Sequence, residues 1–96
     1  MTALELAGFG VRVERTRRGP RVLAPKGRAD LVEVLRAEVA RRVPELRDEQ
    51  IVRRPDAKVG ACETCGDPLA NGRGGMCDLC IVARHKALVQ LGRIPA

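Results

Sequence analysis

The first residues have the pattern of a short capped helix. Residues 2–7 read TALELA, with Thr2 placed to cap the N-terminus and Glu5 three residues later. A Ser or Thr followed at this spacing by Glu is the capping-box pattern. Gly8 or Gly10 would end the helix, because glycine adopts the left-handed C-cap conformation at little cost. The chain is therefore predicted to begin with a short helix.

Alternation of apolar and charged residues then predicts a β-hairpin. Val11 and Val13 alternate with charged residues, as in a half-buried strand. Residues 16–19 (TRRG) have the composition of a turn, and residues 21–24 (RVLA) predict a second short strand. Pro20 stands where the second strand begins. This suits a strand at the edge of a sheet, because proline has no N–H to donate.

Residues 25–27 (PKG) break the strand, and the apolar residues that follow have the spacing of a helix. Asp30 is predicted to cap this helix, with Glu33 three residues later. Apolar residues recur every three or four positions, which predicts an amphipathic helix; they are Leu31, Val34, Leu35, Val39, Val43 and Leu46. The polar face is predicted to carry Glu33, Arg36, Glu38, Arg41 and Arg42. Pro44 kinks this helix or starts a new one, and helical character is expected to fade by Gln50.

All four cysteines lie in the last third of the chain: Cys62, Cys65, Cys77 and Cys80. The spacing C-x2-C-x11-C-x2-C lets two pairs of sulfurs bind one tetrahedral ion, at Zn–S distances of about 2.3 Å. Gly66 fits a tight turn after the first pair, and the second pair leads into helix-forming residues that end at Gly92. We therefore predict one structural Zn²⁺, in a finger of treble-clef or zinc-ribbon type. Four sulfurs leave no position for a catalytic water.

Three other uses of the cysteines fit the sequence less well. Two disulfides are typical of secreted proteins, but the first ten residues include Glu5 and no basic residue, unlike a signal peptide. A redox C-x-x-C pair would need a thioredoxin-like strand and helix around it. An iron–sulfur cluster is the third alternative. His85, the one histidine in the sequence, is expected at a surface or half-packed helix position because the four-sulfur site is already full.

Composition and charge narrow the expected function. Of the 96 residues one is aromatic, Phe9, so nucleic-acid bases would find little to stack on. The formal net charge is +6, and 14 of the 18 Lys and Arg residues lie in residues 1–60. The densest basic run extends from Arg12 to Arg28. No apolar run is long enough to span a membrane. We find no catalytic triad, pair of carboxylates in a pocket or phosphate loop, so neither an enzyme nor a small-molecule substrate is expected.

The first half resembles a known docking module. The sequence reads GVRV at residues 10–13 and RVLAPKG at residues 21–27, and an amphipathic stretch follows from Leu31. Over about residues 3–50 these segments resemble the TubC-type N-terminal docking domain of hybrid polyketide and nonribosomal-peptide assembly lines. Family members are small α/β modules, often dimeric. The chain departs from the family in its shortened first helix, its interruption at Pro44, and the finger that stands where a synthase would follow.

The resemblance implies that a partner peptide binds beside the second hairpin strand. The implied partner-binding residues are Arg17, Arg18, Arg21, Val22, Leu23 and Ala24. An exposed strand edge can pair with an extended peptide, and a basic rim favours an acidic one. The same arginines would also serve as a solvated face that protects the edge of the hairpin.

Together these patterns predict a small α+β fold: a short helix, a β-hairpin and an amphipathic helix, followed by a four-cysteine zinc-binding finger ending in a helix. Residues 1–50 form a docking-like module, residues 51–60 a linker and residues 61–96 the finger. The expected function is a non-enzymatic, cytoplasmic zinc-binding adaptor that docks a partner protein, a peptide or a second copy of itself through the basic hairpin, without membrane association. The alternative is a nucleic-acid-binding accessory protein of replication or transcription that contacts phosphates through the hairpin arginines.

Overall fold

The computed structural model describes residues 1–46, 58–69 and 74–94. Its elements are α1 (Ala3–Gly8), β1 (Arg12–Thr16), β2 (Gly19–Leu23), α2 (Ala29–Arg42), a 3-10 turn (Val43–Glu45) and α3 (Asp78–Gln90). This order confirms the predicted α+β fold, in which a helix, a hairpin and a second helix precede the cysteine-rich finger. Most of the predicted linker, and the predicted fading of helical character near Gln50, lie outside the described residues.

The ends of α1 follow the sequence pattern closely. Thr2 Oγ1 accepts a hydrogen bond from the Glu5 N–H at 3.2 Å, and Glu5 Oε1 accepts one from the Thr2 N–H at 3.3 Å. The predicted capping box is therefore confirmed. After the helix, Gly10 has a φ of 93° and the Val11 N–H donates to the Leu6 carbonyl at 3.1 Å. This left-handed turn buries Leu6 and Val11 together and leads the chain directly into β1.

The hairpin closes through a two-residue loop, Arg17 and Arg18. Thr16 pairs with Gly19 in the register of the two antiparallel strands. The Thr16 hydroxyl donates to the Gly19 carbonyl at 2.6 Å and accepts from the Arg18 N–H at 3.2 Å. Gly19 has a φ of 114°, which a residue with a side chain rarely adopts. The loop conformation is therefore fixed by Thr16 and Gly19, and the two arginines are exposed at its tip.

The start of α2 differs from the prediction. The helix begins at Ala29, the residue in the N-cap position is Arg28, and no side chain caps it. Asp30 lies in the first turn, where its carboxylate accepts hydrogen bonds from Arg28 Nε and Nη2, both at 3.1 Å. The prediction that Asp30 is the N-cap is wrong, because its carboxylate is engaged by the neighbouring guanidinium. At the other end Pro44 lies in a 3-10 turn, so the α-helix stops at Arg42.

One hydrophobic core joins the two halves of the chain. Helices α2 and α3 pack against each other, and α3 also contacts both strands of the hairpin. The buried core residues are Ala3, Leu6, Val11, Leu31, Leu35, Val39, Cys62, Cys77, Leu79, Cys80, Val82 and Ala83. The cysteine-rich segment therefore covers apolar surface of α2 and the hairpin. Among the described residues, no helix has the length and apolar character needed to cross a membrane.

Candidate metal centre and hairpin surface

The four predicted metal ligands come together in one cluster. The Sγ atoms of Cys62, Cys65, Cys77 and Cys80 all lie within 4.8 Å of one another, and those of Cys65 and Cys77 are 3.6 Å apart. A tetrahedral ion with four metal–sulfur bonds of about 2.3 Å needs sulfur atoms about 3.8 Å apart. All four residues are free thiols. The cluster therefore has the dimensions to hold one tetrahedral metal ion and is compatible with structural zinc binding.

The first cysteine pair lies in a turn whose backbone amides point at sulfur. The N–H groups of Thr64 and Cys65 donate to Cys62 Sγ at 3.4 and 3.5 Å, and the Asp67 N–H donates to Cys65 Sγ at 3.4 Å. Gly66 has a φ of 84° and donates to the Cys62 carbonyl at 2.9 Å. Hydrogen bonds of this kind stabilise the thiolate form that a metal requires.

The second pair lies at the start of α3, as predicted. Cys77 occupies the N-cap position and Cys80 lies in the first turn, where the positive end of the helix dipole favours a thiolate. Hydrogen bonding to Cys62 and burial both raise the pKa values of the Cys77 and Cys80 thiols. Ionising these two thiols adds negative charge beside the other sulfur atoms, with which they form hydrogen bonds. Four thiolates in this cluster therefore call for a cation among them.

Arg42 is the functional residue that the sequence pattern misplaced. It was predicted on the polar face of α2, but its side chain is buried, with 4% of the residue exposed. Its Nη1 lies 3.6 Å from Cys80 Sγ and 3.9 Å from Cys77 Sγ, and its Nη2 donates to Asp67 Oδ2 at 2.8 Å. The pKa of Arg42 is raised. Burial lowers it, but the hydrogen bonds to Asp67 and to the sulfurs raise it by more than burial lowers it. The guanidinium thus places a positive charge beside the cysteine cluster.

A signal for this position exists in the sequence. Arg42 lies seven residues after Leu35 and three after Val39, so it belongs to the apolar stripe of α2 rather than to the polar face. A buried arginine needs a partner of opposite charge or a strong acceptor. A basic residue on this stripe could therefore have suggested an anionic cluster packed against the end of α2.

The six predicted partner-binding residues divide between two faces of the hairpin. Four are exposed: Arg17, Arg18, Arg21 and Leu23. The side chains of Val22 and Ala24 are half-buried and pack against the core. Any contact that a partner makes with Val22 and Ala24 would therefore use their backbone atoms, while the arginines and Leu23 offer side chains.

The two edges of the hairpin have different surroundings. Asp78, the first residue of α3, lies beside β1 and forms a hydrogen bond with the Val13 backbone. Burial raises the pKa of its carboxyl, and this outweighs the lowering by that hydrogen bond and by the charge of Arg15. The N-terminus of α3 therefore covers part of the β1 edge. Within residues 1–46, 58–69 and 74–94 the sheet contains β1 and β2 only, so no third described strand pairs with β2.

His85 packs against the hairpin tip and lies outside the cysteine cluster. Its imidazole packs on Gly19, where a Cβ atom would lie 2.8 Å from Nε2 and 2.9 Å from Nδ1. The metal-binding group found among the described residues contains the four cysteines and not His85. The residue is half-buried, so its position is the half-packed helix site that the sequence predicted.

Comparison with known proteins gives no family assignment: no protein-family model, curated protein or solved structure matches the chain. No family match therefore supports the resemblance to the TubC-type docking domain. What does stand is the four-cysteine cluster, whose geometry is consistent with a zinc finger.

Proposed function

We propose that this protein is a non-enzymatic adaptor in which a structural zinc ion stabilises the finger and the basic hairpin docks a partner protein or peptide. The observation that carries the proposal is the hairpin itself. Its inner face is packed on α3, while β2 keeps an edge without a third described strand and Arg17, Arg18 and Arg21 are exposed beside it. Four free thiols suit a reducing compartment, which supports a cytoplasmic location.

Zinc is the metal that this ligand set favours. Four thiolates at tetrahedral spacing form the all-cysteine ligand set of structural zinc sites, in which no coordination position remains for water. Bound zinc would join the turn that carries Cys62 and Cys65 to the start of α3. A second cysteine pair that opens a helix supports the treble-clef type over the zinc ribbon. We expect one zinc per chain by elemental analysis, and a tetrahedral thiolate spectrum after substitution with Co²⁺. Iron, or a folded protein without metal, would contradict this part of the proposal.

Strand addition at β2 is the proposed docking mode. In a hairpin with a two-residue loop the closing pair is hydrogen-bonded, and bonded and non-bonded pairs then alternate along the strands. The Thr16–Gly19 pair closes this hairpin, so the backbone groups of Pro20 and Val22 point away from β1. Since Pro20 has no N–H, a peptide would form its first hydrogen bonds with Val22 and Ala24. The arginines nearby would favour acidic residues in that peptide.

A charge-reversal experiment tests this docking mode. The zinc-loaded protein and a variant with Arg17, Arg18 and Arg21 changed to Glu are used to capture proteins from cell extract, with quantification by mass spectrometry. A matched control reverses Arg36, Lys58 and Arg93, which are exposed outside the hairpin. We expect a specific partner to be lost from the hairpin variant and kept by the control. Equal capture by both variants would overturn acidic-peptide docking at β2. Sedimentation of the purified parent protein and variants shows whether the partner is a second copy of the chain.

Nucleic-acid binding is the second candidate, because the exposed hairpin arginines could also contact phosphates. Such contacts predict an affinity that falls steeply with salt, by about 10³–10⁵-fold between 50 and 200 mM for six to ten phosphates. Phe9 is the one aromatic side chain in the sequence, so base stacking would contribute little. Fluorescence anisotropy with single-stranded and duplex DNA of about one helical turn tests this candidate. Absence of binding at low salt removes it.

A further inference from the structure

We propose that the hollow between the hairpin tip and α3, here called the hairpin–helix groove, is a second docking surface of this adaptor and accepts an acidic protein segment that carries large apolar side chains. The floor of the groove is formed by Pro20, Met76, Ile81 and Leu88, and its rim by Arg15, Arg84 and His85. The inference rests on the proposed docking function of the hairpin, but it concerns a different face and a more specific partner.

The size of the groove suits side chains of a polypeptide. Its volume is about 220 Å³, whereas pockets for drug-sized molecules have about 300–1,000 Å³. Ile81 and Leu88 are seven residues apart, which places them on one face of α3 about 10 Å apart along its axis. Both are half-buried, as are Pro20 and Met76. This apolar floor therefore extends over two helical turns and could receive one or two large apolar side chains.

The shape of the groove is built into the fold. His85 packs directly on Gly19, at a backbone position with a φ of 114° where a Cβ atom would collide with the imidazole ring. This contact joins the hairpin tip to α3, and the floor residues lie together in the structure of the chain without a partner. A preformed site avoids part of the entropic cost of ordering on association.

The charge around the groove identifies the chemistry of its partner. Arg15 projects from β1 and Arg84 from α3, both are exposed, and no Asp or Glu is among the residues that line the groove. Arg17 and Arg18 continue the positive surface at the hairpin loop. A basic rim around an apolar floor is complementary to an acidic segment with apolar side chains. A nucleic acid would use the rim but leave the apolar floor unfilled, since no Phe, Tyr or Trp lines the groove.

The test uses nuclear magnetic resonance titration of the ¹⁵N-labelled, zinc-loaded full chain with synthetic peptides. The probe is a twelve-residue peptide in which Asp and Glu flank two Leu residues. One matched peptide has Lys at every acidic position, and the other has Ala at both Leu positions. We expect the probe to shift the amides of Ile81, Arg84 and Leu88, and both matched peptides to bind at least about tenfold more weakly.

Protein variants provide the second arm. Arg15→Glu combined with Arg84→Glu is expected to weaken probe binding at least about tenfold, while Arg36→Glu combined with Lys58→Glu leaves it unchanged. Zinc content and spectral dispersion show whether each variant is folded. If the double Glu variant is not, Arg15→Gln with Arg84→Gln replaces it, with the same direction expected.

Several results would overturn docking in the groove. They are no binding of the probe at millimolar concentration, equal binding of the Ala-substituted peptide, an equal effect of the control variant, and groove shifts caused by a DNA oligonucleotide but not by the probe. Shifts confined to Val22 and Ala24 would also overturn it while supporting docking at β2. Shifts in the groove without any at Val22 and Ala24 would support the groove and argue against docking at β2, so the two proposals fail separately.

Discussion

Arg42 donates a hydrogen bond from Nη2 to Asp67 Oδ2 at 2.8 Å, and the Asp67 N–H donates to Cys65 Sγ in the first cysteine pair, so Asp67 links the end of α2 to that pair. The same guanidinium lies 3.6 Å from Cys80 Sγ in the second pair. One side chain from the N-terminal half thus contacts both parts of the candidate metal centre. A change at the metal centre should therefore alter the stability of α2 as well as that of the finger.

Removal of the metal is expected to destabilise α2 together with the finger. Structural zinc contributes about 10–16 kcal/mol to the folding of small zinc fingers, and here the finger also covers part of the core that includes Leu35 and Val39. Hydrogen exchange before and after chelation should show lost protection at the amides of Val39 and Arg42 as well as Cys80. Added zinc should restore all three. Loss at Cys80 alone would show that α2 is stable without the finger.

Replacing Arg42 by Met should destabilise the zinc-loaded protein and weaken metal retention. The variant removes the positive charge beside the sulfurs and leaves Asp67, whose side chain is 25% exposed, without its partner. For a partly buried group we expect a cost of about 1–3 kcal/mol in the free energy of unfolding. Urea denaturation and chelator competition measure the two effects. The matched control is Arg41→Met at the exposed neighbouring position; an equal loss in both variants would show that the buried contacts contribute nothing.

Substitution of Gly19 by Ala should loosen the hairpin tip. The variant suffers both the positive φ and the collision of Cβ with His85, whereas Gly27→Ala has a positive φ with open space around it. Left-handed backbone costs about 1–2 kcal/mol, so Gly27→Ala should lose about that much and Gly19→Ala clearly more. Gly74→Ala, with neither problem, should stay within about 0.5 kcal/mol of the parent. Thermal denaturation of the three variants measures these differences.

A combined variant separates strain from collision at the same site. Changing His85 to Ala removes the imidazole, so Gly19→Ala in that background should cost only about as much as Gly27→Ala. If Gly19→Ala is equally costly with and without the His85 side chain, the imidazole does not hold the hairpin tip.

Metal affinity should rise with pH. Bound thiols must be deprotonated. Cysteine thiols of an unfolded, metal-free chain are mostly protonated at neutral pH, and when the four sulfurs are brought together, hydrogen bonding to Cys62 and burial raise the pKa values of Cys77 and Cys80. Both thiols are therefore protonated at neutral pH and release their protons when metal binds. The logarithm of the apparent affinity should increase with a slope of at least about two per pH unit between pH 6 and 8. Chelator competition, corrected for protonation of the chelator, measures the slope; a value below one would contradict these protonation states.

Local patterns in this sequence predict local structure well. The Thr2–Glu5 capping box and the turn at Gly92 that follows the end of α3 depend on hydrogen bonds between residues three to five positions apart. The cysteine spacing similarly places Cys77 and Cys80 within one turn at the start of α3. In each case the interacting groups are neighbours in sequence, so their geometry follows from the backbone conformation that the residues favour.

Contacts between distant residues were not predictable in the same way. Residue type alone places Arg42 on the polar face, because arginine is usually exposed, and its partners lie 25 to 38 positions further along the chain. The packing of His85 on Gly19 is equally non-local. Even the local assignment of Asp30 failed, because Arg28 binds its carboxylate in competition with the helix N-terminus. These cases share a side chain whose partner is chosen by tertiary structure.

The spacing between Arg42 and its partners also bears on how the chain is made. A ribosome adds about 5–20 residues per second, so Arg42 is synthesised roughly 2–8 s before Cys80, 38 positions later. During that interval the guanidinium has no sulfur cluster to pack against and must stay hydrated. The end of α2 can therefore reach its final burial only after the second cysteine pair has left the ribosome.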